Sequence, residues 1–372
     1  MECRAVILGL FPRLRKLLCW KSFGGMFMGS FYCGERFGIM IDHHSIQETA
    51  AMSLQSRSSR RQILTVAAAS VFVASAMRAA QAAGNALLAD DDTEHPWIDA
   101  HSHIWTTDLA KYPLRDHQTV DVLEPRSFTD EELMALALPQ GVGRVVLIQH
   151  YPHHGYDNSY LIDTWKKHPN RFRIVGQIDQ SQPRVDQKMR EMLKTGVTGF
   201  RIGPRADQPD WLAGDGIKLM WKTAAETRQS MCCLINPSNL KETAEWCVRY
   251  PDTPVVIDHF ARVGVDGTIR DEDVKNLCDL AKHKLVRVKI SAYYALGQKK
   301  PPYQDLVPMI KRLFEAFGPD RLMWASDCPY QLTEPNTYAA SIALVRDGLD
   351  FVSADDRRKL LRTTAESTFF YS

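Results

Sequence analysis

From Pro96 to the C-terminus the chain alternates short apolar or β-branched runs with amphipathic stretches, and polar loops separate the two. The runs fall at Trp97–Ile104, Arg144–His150, Phe172–Ile178, Val197–Gly203, Met231–Asn236, Pro254–Phe260, Val286–Ala292 and Arg321–Asp327. Two of them, Val145-Val146-Leu147-Ile148 and Val255-Val256-Ile257, are apolar without interruption. That is the pattern of parallel strands covered on both faces, not of strands with one wet face. Between the runs, Asn158–Lys167, Val185–Lys194, Ile217–Gln229, Leu240–Val248, Asp273–Lys282 and Leu306–Phe317 place apolar residues at helical spacing. Eight strands alternating with helices predict an α/β protein, a (β/α)8 TIM barrel over residues 96–372. A doubly wound open sheet is the rival architecture. No G-x-G-x-x-G follows the first strand, and polar residues gather at the C-terminal ends of many strands, where barrels carry their active sites.

The first hundred residues have a different character. Ser59-Arg60-Arg61-Gln62-Ile63-Leu64 resembles the twin-arginine export signal, with paired arginines ahead of an apolar stretch. Ile63 to Ala76 is uncharged and largely apolar, too short against the roughly 20 residues a membrane span requires. Ala80-Gln81-Ala82 then supplies an A-x-A cleavage site. The expected organisation is an N-terminal extension over 1–51, a leader over 52–82 cleaved after Ala82, a short linker over 83–95 and the barrel. Residues 1–51 show no clear periodicity, so Met52 is the expected start, with a disordered or membrane-associated extension as the alternative. A basic patch before a buried helix is the other reading of the arginine pair. The resemblance implies the twin-arginine export machinery as a partner and a periplasmic location.

Composition narrows the class further. Forty-five per cent of the residues are hydrophobic and 24% charged, with a formal net charge of +2, which supports a sizeable core. The near-balanced charge and the lack of a long basic run exclude a phosphate-backbone footprint, so nucleic acid is not an expected partner. Three of the eight cysteines, Cys3, Cys19 and Cys33, precede the barrel. The other five, Cys232, Cys233, Cys247, Cys278 and Cys328, form no C-x-x-C pair. They read as mostly buried thiols, with one disulfide open in an oxidising compartment. A homo-oligomer is equally open.

The chemistry sits at strand ends. His101-Ser102-His103 closes the first strand, and a period of two sends both imidazoles to one side. Asp258-His259 ends the sixth strand, Arg201 lies near the end of the fourth, and Ser326-Asp327 ends the eighth. Imidazoles with a carboxylate suit zinc, manganese or a similar ion. Taken singly, each is equally an ordinary polar side chain; four strand ends meeting at one mouth are not. Guanidinium forks suit carboxylates, so Arg201, Arg205, Arg262 and Arg287 point to an anionic substrate, with surface ion pairing as the alternative for any one of them. His150, His153 and His154 cluster after the second strand with Tyr151 and Tyr156, lining a pocket or simply forming a solvated loop. Trp105, Trp211 and Tyr294 are walls of a site or buried packing. Lys289 and Ser291 end the seventh strand and can also face the mouth.

Trp97-Ile98-Asp99-Ala100-His101-Ser102-His103-Ile104-Trp105, Val255-Val256-Ile257-Asp258-His259-Phe260-Ala261-Arg262 and Arg321-Leu322-Met323-Trp324-Ala325-Ser326-Asp327-Cys328-Pro329 resemble the signature strands of the amidohydrolase-related (amidohydrolase 2) family of TIM-barrel metal-dependent hydrolases. The branch most similar in look holds the sugar-lactone hydrolases and the 2-pyrone-4,6-dicarboxylate hydrolases. The likeness covers about residues 95–370. It implies His101, His103 and Asp327 as metal ligands, and Asp327 and His259 as catalytic groups, with Asp327 the general base. By their places at or after strand ends Arg201, Arg205, Arg262, His150, Asn236 and Tyr294 are the expected substrate contacts, and the 2-pyrone-4,6-dicarboxylate hydrolases carry arginines at comparable places. Many members bridge two metals through a fourth-strand lysine or glutamate and add a fifth-strand histidine; here those places hold Arg201 and Asn236. One divalent ion, zinc or manganese, or in this branch none, is the expectation. The implied reaction is hydrolysis of a lactone bearing a carboxylate. The alternatives are a non-oxidative decarboxylase of an aromatic or muconate-type acid, and a periplasmic binding protein without turnover.

Overall fold

A computed structural model of the chain describes residues 93–371. The extension and the export leader expected over 1–82 lie outside the described residues. Eight parallel strands form one sheet in sequential order: β1 (Trp97–Ser102), β2 (Val142–Ile148), β3 (Phe172–Gly176), β4 (Val197–Ile202), β5 (Ser230–Cys233), β6 (Val255–Ile257), β7 (Val286–Ile290) and β8 (Leu322–Trp324). The edges β1 and β8 meet through the single bridge Ser102–Cys328. Two backbone bonds lock that seam, His103 N–H to Cys328 O at 2.7 Å and Asp327 N–H to His101 O at 2.8 Å. The architecture is the (β/α)8 barrel that the repeated units predict. All eight runs are strands, but most stop short of the expected C-terminal residues. At those ends the chain leaves the ladder to aim polar side chains into the barrel mouth.

Two apolar layers follow from the period of two along each strand. Outward-facing Val145, Leu147, Ile174, Met231, Val255, Ile257, Val288 and Trp324 pack against the helices. Inward-facing Ile98, Ala100, Val146, Ile148, Val175, Cys232, Val256 and Met323 form a separate cluster, which Ala365 and Phe369 of the C-terminal helix Thr364–Phe369 join. Residues in register share a face, so Arg201 beside Cys232, Arg287 beside Val256 and Lys289 beside Met323 also point into the lumen.

The six expected helices are present, with Asp273–Lys282 resolved into an α-helix, Asp271–Cys278, and a 3-10 turn, Asp279–Lys282. The amphipathic pattern left out the helix Asp130–Ala137. Thr129 and Glu132 cap it reciprocally, a local signal independent of hydrophobic periodicity. Among the described residues the five cysteines are free, and no helix is long and apolar enough to cross a membrane.

Candidate active site

The seam between β1 and β8 determines the geometry of the mouth. Asp99, fully buried on β1, accepts hydrogen bonds from the backbone N–H of His101 (3.0 Å) and of Ser326 (2.9 Å), and from the hydroxyls of Ser102 and Tyr338. One carboxylate thereby ties the segment carrying His101 and His103 to the segment carrying Asp327. Beyond that tie, Asp327 adopts φ +62°, a left-handed conformation that costs a non-glycine residue free energy and recurs at functional sites. The turn directs its carboxylate toward three imidazoles. Asp327 Oδ1 lies 3.4 Å from His101 Nε2 and 3.4 Å from His103 Nε2, and Oδ2 lies 3.8 Å from His259 Nε2. Tyr294 donates its hydroxyl to Oδ2 at 2.9 Å.

Each imidazole is held from behind. His103 Nδ1 bonds to the carbonyl of Ile148 at 2.9 Å, and His259 Nδ1 to Ser291 Oγ at 2.8 Å. Such outer contacts leave Nε2 directed at a ligand. His259 opens the turn His259–Arg262, in which all four residues have φ between +52° and +57°. At roughly 1–2 kcal/mol per residue this left-handed turn is expensive, and it brings both His259 and Arg262 to the cavity. Gly203 at the end of β4 serves close approach: a Cβ there would lie 2.2 Å from the carbonyl oxygen of Leu234.

Below the three imidazoles lies a buried charge network that the sequence hinted at only through the strand ends. Lys289 and Asp258 are fully buried, with Nζ 3.0 Å from Asp258 Oδ1 and 3.2 Å from His101 Nδ1. Arg201 Nε stands 3.8 Å from Asp258 Oδ2, and its Nη1 stands 3.4 Å from His101 Nε2. Burial, with the neighbouring Lys289 charge, drives His101 well below the usual histidine range. Burial likewise lowers His259 to about 4. Burial alone would raise the Asp327 carboxyl, but His259, the hydrogen bond from His103 and the field of His101 outweigh it and hold the carboxyl well below the usual range.

The open cavity above this floor has a volume of about 460 Å³. His103, His150, Arg201, Arg205, His259, Arg262, Tyr294 and Asp327 line it. His101 lies just beneath, fully buried. Asn236 does not line the cavity: its side chain caps the short helix Pro237–Asn239, so the expected substrate contact is a structural cap. Arg287 is in the lumen and away from the cavity. Trp105 and Trp211 are buried packing, each with its indole N–H bonded, to Pro125 O and to Glu242. His153 and His154 are buried behind His150 and do not reach the cavity. Tyr330, Gln149 and Gln177 do line it and escaped the sequence reading. Tyr330, which shares a 2.6 Å hydrogen bond with His150 Nε2, follows the Ser326-Asp327 strand end by only three residues and was the accessible signal.

His101, His103 and Asp327 each offer an atom lying within 4.8 Å of the others, as do His101, Asp258 and His259. Two imidazoles and a carboxylate match the donor set of a divalent ion. The first group fits such an ion, since His103 Nε2 and Asp327 Oδ1 both reach the open cavity.

The profile of the Amidohydrolase family matches residues 98–370. The chain is 26% identical over 283 residues to a 4-sulfomuconolactone hydrolase of Hydrogenophaga intermedia, covering 73% of this chain and 88% of the relative. It is 25% identical over 244 residues to a 2-pyrone-4,6-dicarboxylate hydrolase of Comamonas testosteroni, covering 63% and 76%. A crystal structure described as a probable 2-pyrone-4,6-dicarboxylic acid hydrolase from Acinetobacter baumannii, with citric acid bound, superposes with a TM-score of 0.62 at 18% identity, covering 74% of this chain and all of the other; that likeness speaks for the fold. The chain belongs to the amidohydrolase family and is a hydrolase of that family.

Proposed function

We propose that the protein opens a lactone that carries a further anionic group. The observation carrying this reading is the charge balance around the cavity. Lys289, Arg201 and Arg262 face only two carboxylates, Asp258 and Asp327, while Arg205 is paired with Asp207. One positive charge is left over. It belongs to Arg262, whose guanidinium has neither a close ion-pair nor a hydrogen-bond partner among the described residues and feels Arg201 as well as the more distant carboxylates Asp327 and Asp258. A carboxylate or sulfonate on the substrate would neutralise it through a two-pronged contact. The relatives named for sulfomuconolactone and pyrone dicarboxylate hydrolysis support the same substrate class.

The chain's own groups account for the proton movements. Asp327 is ionised, accepts the proton of a water at its carboxylate and so directs the water's oxygen at the lactone carbonyl. A carboxylate this well stabilised is a weak base, and it takes the proton only as negative charge passes to the carbonyl oxygen. His259 and Arg201 oppose that developing charge from fixed positions. When the ring C–O bond breaks, the proton held on Asp327 goes to the departing oxygen, and water has been added across the ester. His101, His103 and Asp327 would hold a divalent ion, which would supply Lewis acidity that lowers the pKa of water toward neutral.

The test is a panel of neutral and anionic lactones, with proton release and carbon dioxide followed separately. Anionic lactones should exceed neutral ones by at least about tenfold in kcat/KM, and Arg262→Ala should abolish that preference while sparing neutral substrates. Carbon dioxide from aromatic acids without ester opening would make the protein a decarboxylase. Binding without turnover of any lactone would make it a receptor. For the N-terminus we propose export: N-terminal sequencing of the periplasmic protein should begin at Ala83, and retention of residues 60–82 refutes it.

A further inference from the structure

Of the two donor groups at the mouth, one already contains a cation. We propose that the Lys289 ammonium stands where a second metal ion would sit, closing the His101, Asp258 and His259 group to divalent ions and leaving His101, His103 and Asp327 as the one place an ion is held. The inference rests on the metal-binding reading of this site, but not on the identity of its substrate.

The argument begins with register. Lys289 pairs with Met323 across the β7–β8 ladder, and Met323 belongs to the lumen cluster, so the lysine stem runs inside the barrel. Phe369 closes the lumen on the far side, with its ring 5.3 Å from Nζ. A fully buried ammonium has no water to turn to. Its polar neighbours are Asp258 Oδ1 at 3.0 Å and His101 Nδ1 at 3.2 Å.

Those two atoms are where His101 and Asp258 of the second group approach each other, and they stand 3.5 Å apart. Any point within bonding reach of both, about 2.1 Å from each, lies within about 4 Å of Nζ. At that separation, inside a dry barrel, a divalent ion and an ammonium repel strongly. Arg201 completes the exclusion by approaching the other oxygen of Asp258 at 3.8 Å, so this carboxylate meets a tethered cation on each side. His101 Nδ1 also faces the Asp258 carboxylate, at 3.5 Å from Oδ1, and with its N–H turned there the lone pair of Nε2 is directed toward Asp327. Lys289 is therefore a positioning residue. A buried ion pair of this kind adds little to stability compared with apolar packing, so stability alone gives no reason for a lysine here.

The experiment counts metal. Full-length protein is stripped with a chelator, reloaded with excess zinc, desalted and analysed for zinc per chain, and binding is followed in parallel by cobalt(II) absorption. The wild type should take one equivalent, and none would overturn the metal-binding reading on which the inference rests. Lys289→Met, similar in volume and uncharged, should take one more than the wild type, and Lys289→Arg should match the wild type. Two equivalents in the wild type, or no gain in a Lys289→Met variant that folds by circular dichroism, overturn the proposal. Should Lys289→Met not fold, Asp258→Asn decides: an unchanged zinc count supports the closed group, and loss of an equivalent overturns it. These readouts are blind to turnover, so failure of the lactonase reading and failure of this one are separable.

Discussion

At the scale of single residues, neighbours in the same short motifs have opposite roles. Asp327 faces the reacting space with His101 directly beneath it, and His101→Ala and Asp327→Asn should each lower turnover by more than about a hundredfold while circular dichroism and Tm change little. Asp99, two residues before His101, touches nothing in the cavity and gathers five buried donors, two from its own strand (His101 N–H and the Ser102 hydroxyl) and three from beyond the seam (the Ser326 N–H and hydroxyl and the Tyr338 hydroxyl). Asp99→Ala leaves those donors unsatisfied and should cost about 3 kcal/mol or more by urea unfolding. Sequence alone placed Asp99 beside the ligands and could not separate the two roles, because the donors from Ser326 and Tyr338 lie more than two hundred positions away.

At the scale of elements, the loop after β2 shows what burial does to a cluster of histidines. His153 is buried on the short helix Tyr151–His154, edge-on to Trp105 at 4.6 Å and 4.1 Å from His150. Burial, with the nearby His154 and His103, lowers it to about 4. Unfolded, it titrates near its ordinary value of about 6.5, so the unfolded chain binds more protons between those values. Its contribution to stability is complete above about pH 6.5 and is lost as pH falls toward 4. Wild-type Tm should drop through that window, and His153→Leu should show a gentler drop; an unchanged slope would place the sensitivity elsewhere. The sequence left this cluster as either pocket lining or solvated loop. The structure makes His150 lining and buries His153 and His154, because the excursion between β1 and β2, with Trp105 and the Pro113 carbonyl that His154 meets, folds over them.

At the scale of the molecule, the barrel is sealed at one end by its own C-terminus and open at the other to the site. Phe369 is fully buried beneath the lumen cluster, and Phe369→Ala should cost about 3–5 kcal/mol by denaturant unfolding. What the amino-acid sequence determined by itself was local in origin. Eight β-branched runs alternating with amphipathic stretches specify parallel β/α units, and a period of two sends His101 and His103 to one side of a strand. Those patterns depend only on each segment's need to bury one face, so they are legible without partners. Asn236 shows the limit: its place after β5 suggested the mouth, but the neighbouring Asn239 N–H made it a cap. The pairing of Lys289 with Asp258 and His101, the left-handed turn that aims His259 and Arg262, and the lone charge of Arg262 were decided only by tertiary structure. They depend on which strands become neighbours when the sheet closes, and on the loss of water from the space between them, and neither is encoded in the periodicity of any one segment.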